Sequence, residues 1–310
     1  MPTFNEFTFL SNDKVHNIFF RECVPDGNIR GVVQIVHGIA EHSKRYEHFM
    51  SFLASNGFVA VADDHLGHGY SIGSDPTDQG WFAENDGWMT VVRDLNSLRL
   101  IEQEKYPGLP YFFLGHSMGS FLTRTYIINY PDALTGAIIS GTGQNPGPVI
   151  AAGKTIGKAD IADHGSKHLS DFIHNMAFGA YNKKYNNPRT EFDWLCRDTA
   201  IVDAYIADPL SGFQETVGLF VDMMGGLQYI WKSENLNRMN KAMPVYFMSG
   251  DMDPVGDYGK GVKKVYERFK KIGMRDVQLK LYPQGRHEML NELNKDEVYT
   301  NVLNWLESKI

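Results

Sequence analysis

Tyr111-Phe112-Phe113-Leu114-Gly115-His116-Ser117-Met118-Gly119-Ser120-Phe121-Leu122-Thr123-Arg124-Thr125-Tyr126 reads as a strand, a sharp turn and a helix, with a serine at the apex of the turn. The apolar run before Gly115 has the length of a buried strand, and the stretch after Gly119 is helix-like. Between them the spacing is G-x-S-x-G. A nucleophile on so tight a turn leaves no room for side chains two residues to either side, so glycine is required there. Such a turn lifts the hydroxyl clear of the sheet. It also aims the backbone N–H of Met118, and the N-terminus of the helix, at negative charge developing on a carbonyl oxygen beside Ser117.

A serine hydroxyl is a poor nucleophile near neutral pH, so the motif requires a base and a group to orient that base. Both are expected downstream, on loops that follow later strands. Pro244-Val245-Tyr246-Phe247-Met248 reads as a buried strand and runs into Ser249-Gly250-Asp251-Met252-Asp253-Pro254. Val277 to Tyr282 alternates apolar and polar residues like a strand, and Pro283-Gln284-Gly285-Arg286-His287-Glu288 follows it. His287 is therefore the candidate general base, and Asp253 the candidate partner of its imidazole. Asp251 competes for that role, and spacing alone does not separate the two. Asp253 lies farther past the strand end, with Pro254 fixing the backbone after it. Asp251 suits an ordinary turn and an N-cap for a helix beginning near Asp257. His42, His65, His68 and His116 precede the late strand from which a base is expected.

Gly31-Val32-Val33-Gln34-Ile35-Val36 is an early strand ending in His37-Gly38-Ile39. A glycine at 38 lets the backbone turn so that the N–H of Ile39 faces the same point as that of Met118, and two converging donors make an oxyanion hole. The surrounding order is an opening strand pair, 4–10 and 15–22, then strands and helices in alternation. This predicts a mostly parallel sheet with helices on both faces and with the reactive groups at the carboxyl ends of the strands. From Gly141 to about Glu234 the pattern changes to helical stretches rich in aromatics and methionines, without a convincing buried strand. The expected organisation is a core at 1–141, a helical cap at 142–234 and the rest of the core at 235–310. Phe178, Met223 and Met224 are candidates for binding substrate under the cap, with Phe172, Met176, Trp194, Tyr205, Phe220 and Tyr229 beside them. The pair Gly225-Gly226 suggests a mobile edge.

The chain has 310 residues, of which 30 are Lys or Arg and 37 Asp or Glu, for a net charge of −7. The basic residues are scattered except on one helix face, 263–271, so a nucleic-acid footprint is not expected. Cys23 and Cys196 read as free thiols in a chain large enough not to need cross-links. No positively charged leader and no membrane-length apolar segment is read, which gives a cytoplasmic location as the expectation. At most, a transient membrane contact through the cap is foreseen, and the oligomeric state is left open. No phosphate-cradling or dinucleotide motif is present, and no cofactor is expected.

Taken together, His37-Gly38-Ile39-Ala40-Glu41-His42-Ser43-Lys44-Arg45-Tyr46, Asp64-His65-Leu66-Gly67-His68-Gly69-Tyr70-Ser71, Gly115-His116-Ser117-Met118-Gly119, Gly250-Asp251-Met252-Asp253 and Arg286-His287-Glu288 resemble the monoacylglycerol lipase and lysophospholipase group of α/β-hydrolases. The resemblance implies an α/β-hydrolase fold, a mostly parallel eight-stranded sheet with helices on both faces and an inserted helical cap. It implies Ser117 as nucleophile, Asp253 and His287 as its partners, and the N–H groups of Ile39 and Met118 as the oxyanion hole. It also favours Asp253 over Asp251, and a supporting role beside the active site, rather than metal binding, for the Asp64 to Ser71 loop. The implied activity is hydrolysis of a small-molecule acyl ester, a monoacylglycerol, a lysophospholipid or a similar amphiphile, through an acyl-enzyme. Because serine aminopeptidases are grouped with this family, amide substrates stay as an alternative, and a binding protein that has lost its chemistry is a further one.

Overall fold

A computed structural model of the chain describes residues 2–310. The strands are β1 (Thr3–Leu10), β2 (Asn17–Val24), β3 (Gly31–Val36), β4 (Phe58–Asp63), β5 (Tyr111–His116), β6 (Gly136–Ser140), β7 (Val245–Gly250) and β8 (Val277–Tyr282). The helices are α1 (Glu47–Ser55), α2 (Gly87–Lys105), α3 (Met118–Asn129), α4 (Gly147–His164), α5 (Asp171–Phe178), α6 (Thr199–Ala207), α7 (Val217–Tyr229), α8 (Ser233–Leu236), α9 (Lys260–Lys271) and α10 (Lys295–Glu307). The eight strands form one sheet in the order β1-β2-β4-β3-β5-β6-β7-β8. β1 pairs antiparallel with β2 and β2 with β4, and all other pairs are parallel. This is the expected α/β-hydrolase sheet. Its parallel strands are apolar on both faces because helices cover both.

Alternation along β3 shows how the two faces are divided. Val32 and Val36 join a core with Val92, Leu95 and Leu98 of α2 and Leu122 and Tyr126 of α3. Val33 and Ile35 join another with Phe49 and Leu53 of α1 and Val302 and Leu306 of α10. Gln34 is buried on the α2 side, where its amide donates to the Leu95 carbonyl at 3.1 Å and its oxygen accepts from Tyr111 Oη at 2.8 Å. A buried polar side chain with both ends paired costs the core little.

Two element boundaries and the placement of one glycine pair differ from the sequence reading. β2 begins at Asn17 because the Asp13 carboxylate captures the N–H groups of Val15 and His16 in a turn. α9 begins at Lys260 because Asp257, Tyr258 and Gly259 have φ of 45°, 54° and 84°, which no right-handed helix accommodates. Gly225 and Gly226 lie inside α7, and a Cβ on Gly226 would come within 2.2 Å of the Trp88 indole. The glycine there permits close packing of α7 on α2 and does not make a hinge. Between β6 and β7 the chain runs through five helices, α4 to α8, with no strand among the described residues. Among the described residues, no helix is long and apolar enough to cross a membrane.

Candidate active site

β5 lies at the centre of the sheet and delivers Ser117 at its carboxyl end. Ser117 has φ 54° and ψ −121°, a conformation that costs a non-glycine residue free energy and persists only where its surroundings enforce it. Those surroundings are visible: a Cβ on Gly119 would sit 1.9 Å from the Val36 carbonyl oxygen, and one on Gly115 would sit 2.4 Å from that of Gly119. The Ser117 N–H donates to the Ser140 carbonyl at 3.0 Å, which ties the turn to β6. Met118 opens α3, so its N–H has no partner within the helix. Neither the Met118 nor the Ile39 N–H has an acceptor among the described residues, and both residues border a cavity that also contains Ser117.

Asp253 and His287 come from the ends of β7 and β8. The loops are joined by Met252 N–H donating to the Gly285 carbonyl at 2.9 Å and by Gln284 N–H donating to Asp251 Oδ1 at 2.7 Å. Asp251 is thus used to hold the two loops together, not to cap α9 as the turn reading had it. Asp253 is fully buried, and its Oδ1 accepts from His287 Nδ1 at 2.9 Å and from the Val255 N–H at 2.9 Å, while Oδ2 accepts from Ser249 Oγ at 3.1 Å. His287 Nε2 is buried and has no hydrogen-bond partner within the described protein. Burial, the largest influence, pulls the His287 pKa down, but the charge and hydrogen bond of Asp253, with Glu288 and Glu41 behind them, outweigh it and hold the pKa above the ordinary imidazole value. His116, whose ring centroid is 4.6 Å from that of His287, is pushed down to about 4 by burial and by His287, so it is neutral near pH 7.

Two networks at the site were not read from the sequence. In the first, Asp63 Oδ2 accepts from His65 Nδ1 at 2.7 Å, and His65 Nε2 lies 3.2 Å from the His37 carbonyl oxygen. His37 Nε2 accepts from the His65 N–H at 2.9 Å, which leaves His37 Nδ1 protonated and donating to the Gly38 carbonyl at 2.7 Å. Within one planar peptide, pinning the Gly38 C=O also directs the Ile39 N–H the opposite way. In the second, Glu41 Oε1 accepts from the Gly38 N–H at 2.6 Å and from Tyr46 Oη at 2.9 Å. Arg45 donates to Glu41 at 2.7 Å and to both oxygens of Glu288 at 2.6 and 2.8 Å. Burial would raise the Glu288 pKa, but Arg45 holds it down at about 2. The loop after β3 and the loop carrying His287 are therefore clamped to one guanidinium. The residue types were legible, but the pairings cross up to 243 positions, which no local spacing signals.

Ser117 stands where two cavities meet, with Ile39, Phe178 and Trp194 shared between them. One, of about 320 Å³, is walled by Met118, Phe121, Met176, Phe220, Met223 and Met224. The other, of about 170 Å³, is bordered by Glu41, His116, His174, Glu191, Glu215 and Glu288. Phe178, Met223 and Met224 line the larger cavity together with Met176, Trp194 and Phe220, while Tyr205 borders the polar one. Phe172 is exposed, and Tyr229 is turned to Asn129, to which its hydroxyl donates at 2.9 Å. Trp194 also packs 5.0 Å from the His287 ring, and the Leu195 carbonyl accepts the Glu288 N–H at 2.8 Å, so the segment between β6 and β7 supports the histidine loop. In the Asp64 to Ser71 loop, Asp64 accepts from the N–H groups of Ser43 and Tyr70, each at 2.8 Å, which binds that loop to the site's rim. Both cysteines are buried free thiols.

The arrangement matches known proteins over nearly its whole length. The sequence model of the serine aminopeptidase S33 family matches residues 27–294. The monoacylglycerol lipase of Mycolicibacterium smegmatis is 29% identical over 296 residues, covering 92% of this chain and 91% of that one. The monoglyceride lipase of Rattus norvegicus is 25% identical over 316 residues, covering 99% and 92%. Among solved structures, a highly thermostable carboxyl esterase from Bacillus coagulans in complex with glycerol superposes with a TM-score of 0.92 at 32% identity, covering 99% of this chain and 98% of that one.

Proposed function

The chain belongs to the serine aminopeptidase S33 family, in its monoacylglycerol lipase-like group of α/β-hydrolases, and from that premise we propose that it hydrolyses monoacylglycerols. At the coarser level it is a serine ester hydrolase. The observation that carries the finer reading is the placement of Ser117 between an apolar cavity and an acid-lined polar one. An acyl chain suits the first. The second suits a neutral polyol: of its four lining glutamates, Glu41 and Glu288 are paired with Arg45 and Glu215 with His174, and no lysine or arginine lines it to hold a phosphodiester. Glu215 Oε1 is buried without a partner there, an acceptor ready for a hydroxyl. That the similar Bacillus coagulans esterase was solved with glycerol supports the same reading.

In this mechanism Ser117 Oγ attacks the ester carbonyl while His287 takes its proton. The Ile39 and Met118 N–H groups stabilise the oxyanion, and Asp253 holds the imidazole and its positive charge. The tetrahedral intermediate collapses, His287 returns the proton to the leaving glycerol, and the acyl-enzyme remains. Water, activated by His287, then releases the fatty acid. Residues 142–234 act as the cap, and its exposed Val149, Phe172 and Met176 are placed for transient contact with a lipid surface; Val149 and Met176 also border the apolar cavity. A second reading, an aminopeptidase, is favoured by Glu191 and Glu215, which border the polar cavity and would bind a free amine. Asp193, an acid two positions from Glu191, is spent on the Arg189 and Thr190 turn.

The test is the hydrolysis rate of glycerol monoesters of increasing acyl length, beside lysophospholipids and amino-acyl amides, with Ser117→Ala as the blank. A rate that peaks at medium or long chains, exceeds that on lysophospholipids and vanishes in the variant is expected. Activity confined to acetyl and butyryl esters would make the protein a small-ester esterase. Serine-dependent turnover of the amides alone would establish the second reading, and no turnover at all would point to a binding protein.

A further inference from the structure

Away from Ser117, one cluster of metal-ligand side chains has no role in this chemistry. Among the described residues, Asp160, His164 and His168 are the one group of three His, Cys, Asp or Glu whose donor atoms all lie within 4.8 Å of one another. Asp160 and His164 are four positions apart at the end of α4, on one face of it. Gly165, with φ +90°, ends the helix and turns the chain back, so that His168 folds over the same face. His168 Nδ1 lies 2.6 Å from Asp160 Oδ1, His164 Nδ1 lies 3.6 Å from the same oxygen, and the two rings are 4.5 Å apart.

The returning segment is held in place. The His168 carbonyl accepts the Val217 N–H at 2.9 Å, the Ser166 carbonyl accepts the Gly218 N–H at 2.8 Å, and Ser166 Oγ accepts the Trp81 indole N–H at 3.1 Å. Lys167, the cation nearest in sequence, donates to Asp75 and Asp78 instead. The Asp160 carboxylate is thus partnered, among the described residues, by the two imidazoles alone.

We propose that Asp160, His164 and His168 form a binding site for a divalent transition metal of the zinc class, with water in the fourth position. Two imidazoles and a carboxylate suit zinc, nickel or copper rather than magnesium or calcium. With metal–ligand bonds of about 2.0 to 2.2 Å, tetrahedral ligands stand roughly 3.3 Å apart. The 2.6 and 3.6 Å separations here bracket that value, so the ion replaces the proton shared by His168 and Asp160 with a small opening of the cluster. In the neutral imidazole that proton moves to Nε2, which leaves Nδ1 free to bind the ion. The ion would join the end of α4 to the segment leading into α5. Both helices wall the apolar cavity, through Val149 and Gly153 and through Met176 and Phe178, so the expected consequence is a stiffer cover over the acyl site.

Zinc titrated into the full-length chain and followed by calorimetry should bind with one ion per chain. His164→Ala and His168→Ala should each weaken binding by at least the roughly tenfold that loss even of an outer-shell partner costs. His48→Ala, at an exposed histidine remote from the cluster, should leave it unchanged. Zinc should raise the melting temperature of the wild type and not that of His168→Ala. Asp160→Asn, which keeps the side-chain shape, gives a separate reading should either alanine variant misfold. No saturable binding, or equal binding by wild type and all three cluster variants, would overturn the proposal. So would zinc inhibition of hydrolysis that is the same in wild type and His168→Ala with no thermal effect, because that places the ion at His287. None of these readouts depends on which ester is the substrate.

Discussion

Replacing Asp253 by Asn is a sharp test of the proposed triad, because its surroundings dictate what the new amide can do. Oδ1 accepts two donors that cannot turn round, the Val255 N–H and the His287 Nδ1–H, whereas Oδ2 faces the Ser249 hydroxyl, which can rotate toward the Gly250 carbonyl at 3.2 Å. In Asp253→Asn the amide oxygen should therefore take the place of Oδ1 and the NH₂ should face Ser249, so that the imidazole keeps its tautomer and position. What is lost is the negative charge. A charge pair separated by about 4 Å contributes about 4 kcal/mol at an effective dielectric of 20. The retained neutral hydrogen bond returns about 1 kcal/mol of that. A net loss of ~3 kcal/mol lowers kcat by roughly two orders of magnitude, less than the ~10⁴ seen where the tautomer also changes.

The pH profile gives an independent readout. His287 must be neutral to act as base, and Asp253 is the leading influence raising its pKa. The wild-type kcat/KM should therefore fall on acidification through a value above the ordinary imidazole pKa of about 6.5, and in Asp253→Asn that limb should move to lower pH. Asp251→Asn, which can still accept the Gln284 N–H, should cost no more than a few-fold, in keeping with a surface substitution that preserves its hydrogen bond. Equal losses in the two variants, or an acidic limb that stays in place in Asp253→Asn, would refute the assignment.

Removing Arg45 as Arg45→Ala leaves the Glu41 and Glu288 carboxylates buried without their cation and should destabilise the fold by about 3 to 5 kcal/mol, read from urea unfolding. Gly119→Ala should abolish both activity and cooperative folding, because its Cβ would lie 1.9 Å from backbone, while Gly147→Ala, which meets nothing within 4 Å, should leave both unchanged; circular dichroism melts and ester turnover distinguish them. Glu102 is fully buried, and burial followed by the neighbouring Glu22 raises its pKa to about 8. Its folded pKa is above the unfolded value of about 4.3, so the folded state holds the extra proton and stability falls as pH rises between the two, by at most about 1.4 kcal/mol per pH unit. Glu102→Gln should remove that slope, with its advantage over wild type growing from pH 5 to about pH 8 and levelling off beyond; parallel stability curves for the two proteins would contradict the argument.

Residues with short-range constraints were legible in the sequence. Gly115 is demanded by contact with Gly119 within the turn itself, and the alternation of β3 divides the two cores; Gly119 was legible from the motif, but what its Cβ would strike is Val36 of the neighbouring strand. Cap residues were less legible, because an exposed aromatic such as Phe172 and a lining one such as Phe178 look alike until helix orientation is known. Local spacing also misplaced the start of α9, since three successive left-handed residues carry no periodic signal.

By itself, then, the sequence determined the strand-turn-serine-helix unit, the parallel core and the two late loops from which an acid and a base would come. These follow from hydrophobic period and from the steric room glycine leaves, which act over a few residues. Only the tertiary structure decided which aspartate faces His287, that His37 and His65 pin the Gly38 peptide, that Arg45 joins Glu41 to Glu288, and that Ser117 separates an apolar cavity from an acidic one. Each of these depends on side chains brought together by sheet register and by the helices packed across the strand ends. Such contacts depend on packing in three dimensions, and spacing along the chain does not encode them.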